Sequence, residues 1–409
     1  MVLSAPAGCE VKVGGDCFSP PYEDLIFLSP SVKRGRDEIS RMVDSGTRLS
    51  SDAEIFFALC DRPVLAVSGS DGKSTTVKMA EAILKARGID ALACGNLGIP
   101  FIDALDSRCE VFITEISSFT LEYLAPKTRR ALITNISENH LDWHGSYRSY
   151  IRAKKNLLVS AEETILSPDD EVCKSLIDEY SPRGIFSVRY CYRELRERYP
   201  KTQAFFTSEG EYLAVNGEAL LPLSALAKKE PHNIKNALAA MALTHGLFDT
   251  GRGFCALTDF VGLPHRIETV AQVCGVTYID SSIDSSPERT KSTLLSLGHK
   301  VHILLGGRGK GLSYAPLVEP LLGKNGYIII SGENRWQIAR ELSLSAELLP
   351  RIMILERLED AIKESVALAR HGDTVLLSPA STSYDAYSSF EERGEKFKEY
   401  IKRYTEGIK

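Results

Sequence analysis

Lys73 follows a turn broken by two glycines, and the residues around it have the types and order that grip a polyphosphate. The stretch Val64-Leu-Ala-Val-Ser-Gly-Ser-Asp-Gly-Lys-Ser-Thr-Thr76 begins as an apolar run, passes through Gly69, Ser70, Asp71 and Gly72, and leads into a helix-like segment at 75–87. A strand, a turn and a helix in that order wrap backbone N–H groups and a helix N-terminus around phosphate oxygens. Lys73 would neutralise those oxygens, and a hydroxyl of Ser74 or Thr75 would hold Mg²⁺. The spacing is a short Gly-x-x-Gly-Lys-Ser form, because position 67 is Val. Taken alone, these residues also fit an ordinary glycine turn ahead of a helix.

Further polar clusters close later apolar runs. They are Gly95-Asn-Leu-Gly-Ile-Pro100, Glu115-Ile-Ser-Ser-Phe119 and Ser137-Glu-Asn-His-Leu-Asp142. Each one could be a cap or a turn, as Ser117 would be at a helix start. If the runs are parallel strands, however, all the clusters lie at one edge of a sheet, where ligands bind in doubly wound folds. Glu115 and His140 beside a phosphate loop then make a hard-cation site of oxygens plus one imidazole, suited to Mg²⁺ or Mn²⁺.

Near-continuous apolar runs at 64–67, 91–94, 111–116 and 131–135 alternate with helix-length amphipathic stretches, the pattern of a parallel sheet buried on both faces. Weaker signals at 184–221 suggest an antiparallel addition, followed by a helix at 233–245. Runs at 276–279, 301–305, 327–330, 352–355 and 374–377 predict a second doubly wound unit. Ahead of residue 58 only one strand, 24–29, and one amphipathic helix, 36–43, stand out. The chain has 409 residues, 44% hydrophobic and 25% charged, with a formal net charge of −5, so no general basic character argues for nucleic acid. No apolar run reaches membrane-spanning length, and the first residues lack a signal-peptide pattern. The nine cysteines are scattered without metal-ligand spacing, which suggests a reducing, cytoplasmic setting.

With further ordered motifs, the chain resembles the Mur ligase family of ATP-dependent amide-bond ligases. The short phosphate loop is one of that family's landmarks. The others are Gly95-Asn-Leu-Gly98, Glu115-Ile-Ser-Ser-Phe119, Glu138-Asn-His-Leu-Asp142, Tyr150-Ile-Arg-Ala-Lys154, His232-Asn-Ile-Lys-Asn236, Gly262-Leu-Pro-His-Arg266, Leu305-Gly-Gly307 and Ser378-Pro-Ala-Ser-Thr-Ser383. The resemblance implies an α/β, three-domain architecture: a truncated α/β N-terminal domain for a UDP-sugar (1–58), a central parallel-sheet ATPase domain (59–262) and a Rossmann-like amino-acid domain (263–409). It implies that ATP and two Mg²⁺ are used to join D-glutamate to UDP-N-acetylmuramoyl-L-alanine through an acyl phosphate, by a cytoplasmic monomer with neither a membrane nor a nucleic-acid partner. Closure about a hinge near Arg266 would accompany the reaction.

Residue by residue, the resemblance gives Lys73 the ATP phosphates, with Gly69 to Gly72, Ser74 and Thr75 around them. Glu115, His140 and Ser74 become metal ligands, and Lys154 the carbamylated lysine that completes them, with Lys155 as the neighbour that a slip of one register would select. Asn233 and Asn236 face the adenine, Arg266 reaches the phosphates, and Asp280 serves the nucleotide. Ser29, Asn96 and His140 fall to the nucleotide-sugar. Ser285, Lys310, Ser383, Tyr384 and Phe390 fall to the glutamate. Three departures stand out. The first strand, glycine turn and helix of the family's N-terminal domain have no counterpart, which leaves Ser29-Pro-Ser31 as the remaining turn. The loop that usually reads Asn-Asp-Ser-Lys-Ala-Thr-Asn reads Asp280-Ser-Ser-Ile-Asp-Ser-Ser286, with Ile283 at the lysine. Arg308 precedes Gly-Lys. A sister ligase, a folylpolyglutamate-synthase-like ligase and a non-catalytic nucleotide-binding paralogue are the competing readings.

Overall fold

A computed structural model describes residues 18, 20, 22–30, 32–227, 229–248 and 253–406. The chain divides into two compact units, Met1–Val261 and Gly262–Lys409.

In the first unit, β1 (Leu25–Phe27) and β2 (Arg48–Ser50) pair in parallel across the helix Asp37–Asp44. The large sheet is built from β3 (Val64–Ser68), β4 (Ala91–Gly95), β5 (Val111–Glu115), β6 (Thr128–Ile133), β7 (Ala161–Leu166), β8 (Gly184–Ser187), β9 (Ala204–Glu209), β10 (Tyr212–Val215) and β11 (Glu218–Pro222). Its order is β4-β5-β3-β6-β7-β8-β9-β10-β11. The 184–221 region is therefore not wholly antiparallel: β8 and β9 continue the parallel sheet, and only β10 and β11 run antiparallel. The cause is the helix Tyr192–Arg198, which provides a crossover between β8 and β9, whereas Gly210 and Gly217 leave room only for tight hairpins. Helices Lys73–Ala86 and Pro231–Thr244 carry the apolar core on one face of this sheet. Helices Asp52–Leu59, Tyr147–Val159 and Glu171–Tyr180 carry it on the other. That burial on both faces explains why β3 is apolar almost throughout.

The second unit adds β12 (Glu268–Val273), β13 (Val276–Asp280), β14 (Val301–Gly306), β15 (Ile328–Ser331), β16 (Ile352–Ile354) and β17 (Thr374–Leu377), ordered β12-β13-β17-β14-β15-β16. All pairings are parallel except β12 with β13. β12 is absent from the sequence expectation, since its half-exposed residues give no apolar run. Its signal was the two-residue turn Cys274-Gly275, both at positive φ, between two β-prone segments. The seven described cysteines are free. No described helix is long and apolar enough to cross a membrane.

Candidate active site

Register brings the polar clusters together. β3 lies between β5 and β6, with Val67 opposite Glu115 and Ser68 opposite Ile133, so the residues that follow β3, β5 and β6 share one edge. The loop leaves β3 at Gly69 (φ +148°) and enters the helix at Gly72 (φ +81°). A Cβ on Gly69 would strike Thr134 Oγ1, and one on Gly72 would strike the Asn236 amide, so only glycine fits at either position. The loop's shape is fixed from beyond β6. Ser70 N donates to Asn135 O at 2.9 Å and Asp71 N to Asn135 Oδ1 at 3.0 Å, while Thr134 Oγ1 and Asn135 Nδ2 donate to Asp71 O at 2.6 and 2.9 Å. The Ser70 hydroxyl meets Ser137 O at 3.0 Å and the Tyr150 hydroxyl at 2.9 Å. Lys73 opens the helix and donates from Nζ to Ser70 O at 2.7 Å. Thr134 and Asn135 were not foreseen as site residues, because nothing local distinguishes them from an ordinary strand end.

Two of the residues expected to bind metal, Ser74 and Glu115, touch each other beside this loop. Ser74 Oγ donates to Glu115 Oε2 at 2.6 Å, and Glu115 is buried. Lys154, on the helix Tyr147–Val159, is only 2% exposed; its Nζ donates to Gly69 O at 2.7 Å and lies 4.8 Å from the Tyr150 ring centroid. Burial first, then the charge of Lys73, push its pKa well below that of an ordinary lysine. Lys155 points elsewhere and pairs with Glu179 at 2.8 Å, so of the two lysines it is Lys154 that stands at the loop. His140 adopts a left-handed backbone (φ 53°), is exposed, and sets its ring edge-on to Phe119, centroids 4.8 Å apart.

The nucleotide and sugar residues are less alike than expected. Asn236 is buried over Gly72, whereas Asn233, one turn earlier, is half-buried and donates to Glu230 Oε2 at 2.8 Å. Asn96 is exposed, with its backbone N–H on Glu115 O at 3.0 Å. Ser29 closes a turn by accepting from Val32 N at 2.9 Å, while Ser31 lies outside the described residues. That turn is fastened to the His140 region by Lys33 over the Trp143 ring and Arg34 over the Tyr123 ring.

In the second unit the loops after β13, β14 and β17 converge. Lys310 Nζ donates to Ser285 Oγ at 3.2 Å. Arg308 lies on the rim, paired with Glu333, and exchanges backbone bonds with Thr382. Ser383 is buried and its carbonyl accepts from Tyr387 N at 2.9 Å; Tyr384 is 51% exposed, and Phe390 begins the helix Phe390–Thr405. Arg393, unforeseen, is buried and ties two loops together, donating to Ser282 Oγ and O at 2.9 Å each and to Ser381 O at 3.1 Å. Asp280 departs from the expected nucleotide-facing role. It is 0% exposed, with Oδ2 on His265 Nδ1 at 2.7 Å and Oδ1 accepting from Ser282 N at 2.8 Å, so both oxygens serve the unit's interior. His265, Glu268 and Asp280 could together reach one metal ion, but Lys398 already neutralises Glu268 at 3.1 Å. Arg266 is exposed between two residues of positive φ, His265 and Ile267, a strained turn held by Ile267 N on Ser281 Oγ and Ile283 N on His265 O.

Residues 67–244 match the Mur ligase middle domain, and 265–381 match the Mur ligase glutamate ligase domain. The chain belongs to the Mur ligase family. Proteins named UDP-N-acetylmuramoylalanine–D-glutamate ligase are similar along most of its length. That of Ruminiclostridium cellulolyticum is 32% identical over 392 residues, covering 92% of this chain and 82% of the relative. That of Shigella sonnei is 31% identical over 379 residues, covering 91% and 83%. Among solved structures, a UDP-N-acetylmuramate–alanine ligase from Thermotoga maritima matches with a TM-score of 0.61 at 19% identity, covering 93% of this chain and 85% of that one. A Mycobacterium tuberculosis folylpolyglutamate synthase matches at 0.59 and 12% identity, covering 82% and 91%. These structural likenesses establish the shared fold. Mur ligase membership makes the chain an ATP-dependent ligase.

Proposed function

We propose that the chain ligates D-glutamate to UDP-N-acetylmuramoyl-L-alanine, with ATP cleaved to ADP and phosphate, in cytoplasmic peptidoglycan precursor synthesis. The observation that carries this reading is the pairing of a phosphate loop with a buried, neutral-leaning lysine at its first glycine, within a chain about 32% identical to relatives named for that reaction. The donor set fits Mg²⁺: Ser74 and Glu115 offer hard oxygens already in contact, and His140 adds an imidazole at the same sheet edge. A lysine amine that is neutral can attack CO₂, lose a proton and become a carbamate, turning Lys154 from a cation into an anionic oxygen ligand. Bound Mg²⁺ would neutralise the polyphosphate and the charge that develops during transfer.

The chain's own groups then have distinct tasks. Loop N–H groups and Lys73 hold the terminal phosphate in line for the substrate carboxylate, giving an acyl phosphate. Asn236, fixed over Gly72, and Asn233 present amides to the purine. Ser29, Asn96 and His140 serve the nucleotide-sugar from the same unit. In the second unit Lys310 offers a cation to the glutamate, with no carboxylate among the described residues pairing it. Ser383, Tyr384 and Phe390 frame the other end of that amino acid, whose amine attacks the acyl phosphate and expels phosphate.

An amino-acid panel tests the substrate. Phosphate release in the presence of ATP and UDP-N-acetylmuramoyl-L-alanine should be fastest with D-glutamate. D-Glutamine should be poorer by about 10- to 100-fold in kcat/KM, because an amide replaces the side-chain carboxylate that Ser383, Tyr384 and Phe390 frame. Faster turnover with L-alanine, L-lysine or meso-diaminopimelate would move the chain to a sister ligase. Turnover with a folate in place of the nucleotide-sugar would favour the folylpolyglutamate reading.

A further inference from the structure

Two exposed cations reach the same short loop of the second unit, besides the buried Arg393 on Ser282. Lys310 donates to Ser285 Oγ at 3.2 Å, and Arg289, in the first turn of the helix Pro287–Leu295, donates from its guanidinium to Ile283 O at 3.2 Å. Burial and the charge of Arg289 both push the Lys310 pKa down. Like charges gathered on one loop are unfavourable until an anion joins them. Arg308, on the rim beside Lys310 in sequence, is by contrast paired with Glu333. Among the described residues no carboxylate pairs with either Arg289 or Lys310. The loop Asp280-Ser-Ser-Ile-Asp-Ser-Ser286 carries no cation of its own, and the helix that follows brings a guanidinium to the Ile283 carbonyl.

We propose that Arg289 is a second cation for a carboxylate of the amino-acid substrate, a specificity-determining residue that acts beside Lys310 at the same loop. The inference rests on the D-glutamate ligase reading. A guanidinium suits the task, since its planar fork can hold a carboxylate through two parallel bonds while a remaining N–H stays on the Ile283 carbonyl.

The test is steady-state kinetics on the full chain with ATP, UDP-N-acetylmuramoyl-L-alanine and D-glutamate. Arg289→Gln should raise the KM for D-glutamate by about 10- to 100-fold and leave the KM for ATP within about twofold. Arg289→Lys should recover part of the loss, and the double variant Arg289→Gln/Ile283→Lys should recover more than Arg289→Gln alone. Arg308→Gln, at a surface pair, should match the unmodified chain. Arg289 is exposed, so folding should survive, and unchanged thermal unfolding of the variant checks this. A D-glutamate KM within twofold of normal in Arg289→Gln, an equal rise in both KM values, or a double variant no better than the single one would each overturn the inference. If the unmodified chain does not use D-glutamate at all, the functional reading fails first; if it does and Arg289→Gln is silent, only this inference fails.

Discussion

Lys154→Ala should lower ligase turnover by at least about a hundredfold, with partial recovery when acetate or bicarbonate is added. The side chain sits in a closed space between Gly69 O, Ser68 Oγ and the Tyr150 ring. An ammonium there would bear the cost of burial and the repulsion of Lys73, which is why its pKa is driven down. The neutral amine is the form that adds CO₂, and a carbamate there would offer an anionic oxygen to the Ser74–Glu115 corner. Truncation to alanine opens room for a small free carboxylate to take its place. Lys155→Ala is the control: it loses a partly exposed pair with Glu179, worth about 0–1 kcal/mol, and should keep turnover within about twofold. A ¹³C carbonyl signal from labelled bicarbonate should appear in the unmodified chain and be lost in Lys154→Ala. Normal turnover of Lys154→Ala would remove the carbamate from the account.

Lys73→Ala should abolish detectable ligation, because one preorganised cation on a transferring phosphoryl group contributes about 3 kcal/mol or more to the transition state. Its ammonium is already steered by the Ser70 carbonyl, and Ser70 is in turn held by Ser137 and Tyr150. The loss should therefore appear in kcat as well as in ATP affinity. Lys85→Ala, near the end of the same helix and paired with Glu81, should behave normally in the same assay. Near-normal turnover by Lys73→Ala would overturn the phosphate-loop reading.

The parts legible in the sequence were those written into contiguous residues. Apolar runs of four to six residues announced buried parallel strands, and the Gly-x-x-Gly-Lys-Ser turn announced its own backbone. What escaped depends on partners distant along the chain. Thr134 and Asn135 matter because β6 lies next to β3, an adjacency that no local pattern states. Arg393 reads as one more charge on an amphipathic helix until its guanidinium is seen spanning Ser282 and Ser381. Lys154 and Lys155 are indistinguishable by type, and only helix phase sends one inward and the other to Glu179. Asp280 came to the nucleotide through the family resemblance alone, and no local pattern states that His265, fifteen residues earlier, holds its Oδ2. β12 stayed hidden because an edge strand with one wet face has no continuous apolar run.

The central claim is that this Mur ligase makes one particular amide bond. Mass spectrometry of a reaction containing ATP, Mg²⁺, UDP-N-acetylmuramoyl-L-alanine and D-glutamate tests it most directly. The account predicts a nucleotide-sugar product heavier by one glutamate minus one water, formed in equal amount with ADP and phosphate, and absent when D-glutamate is replaced by L-glutamate. ATP consumed without that product, or the same mass gain from a different amino acid in preference to D-glutamate, would contradict it.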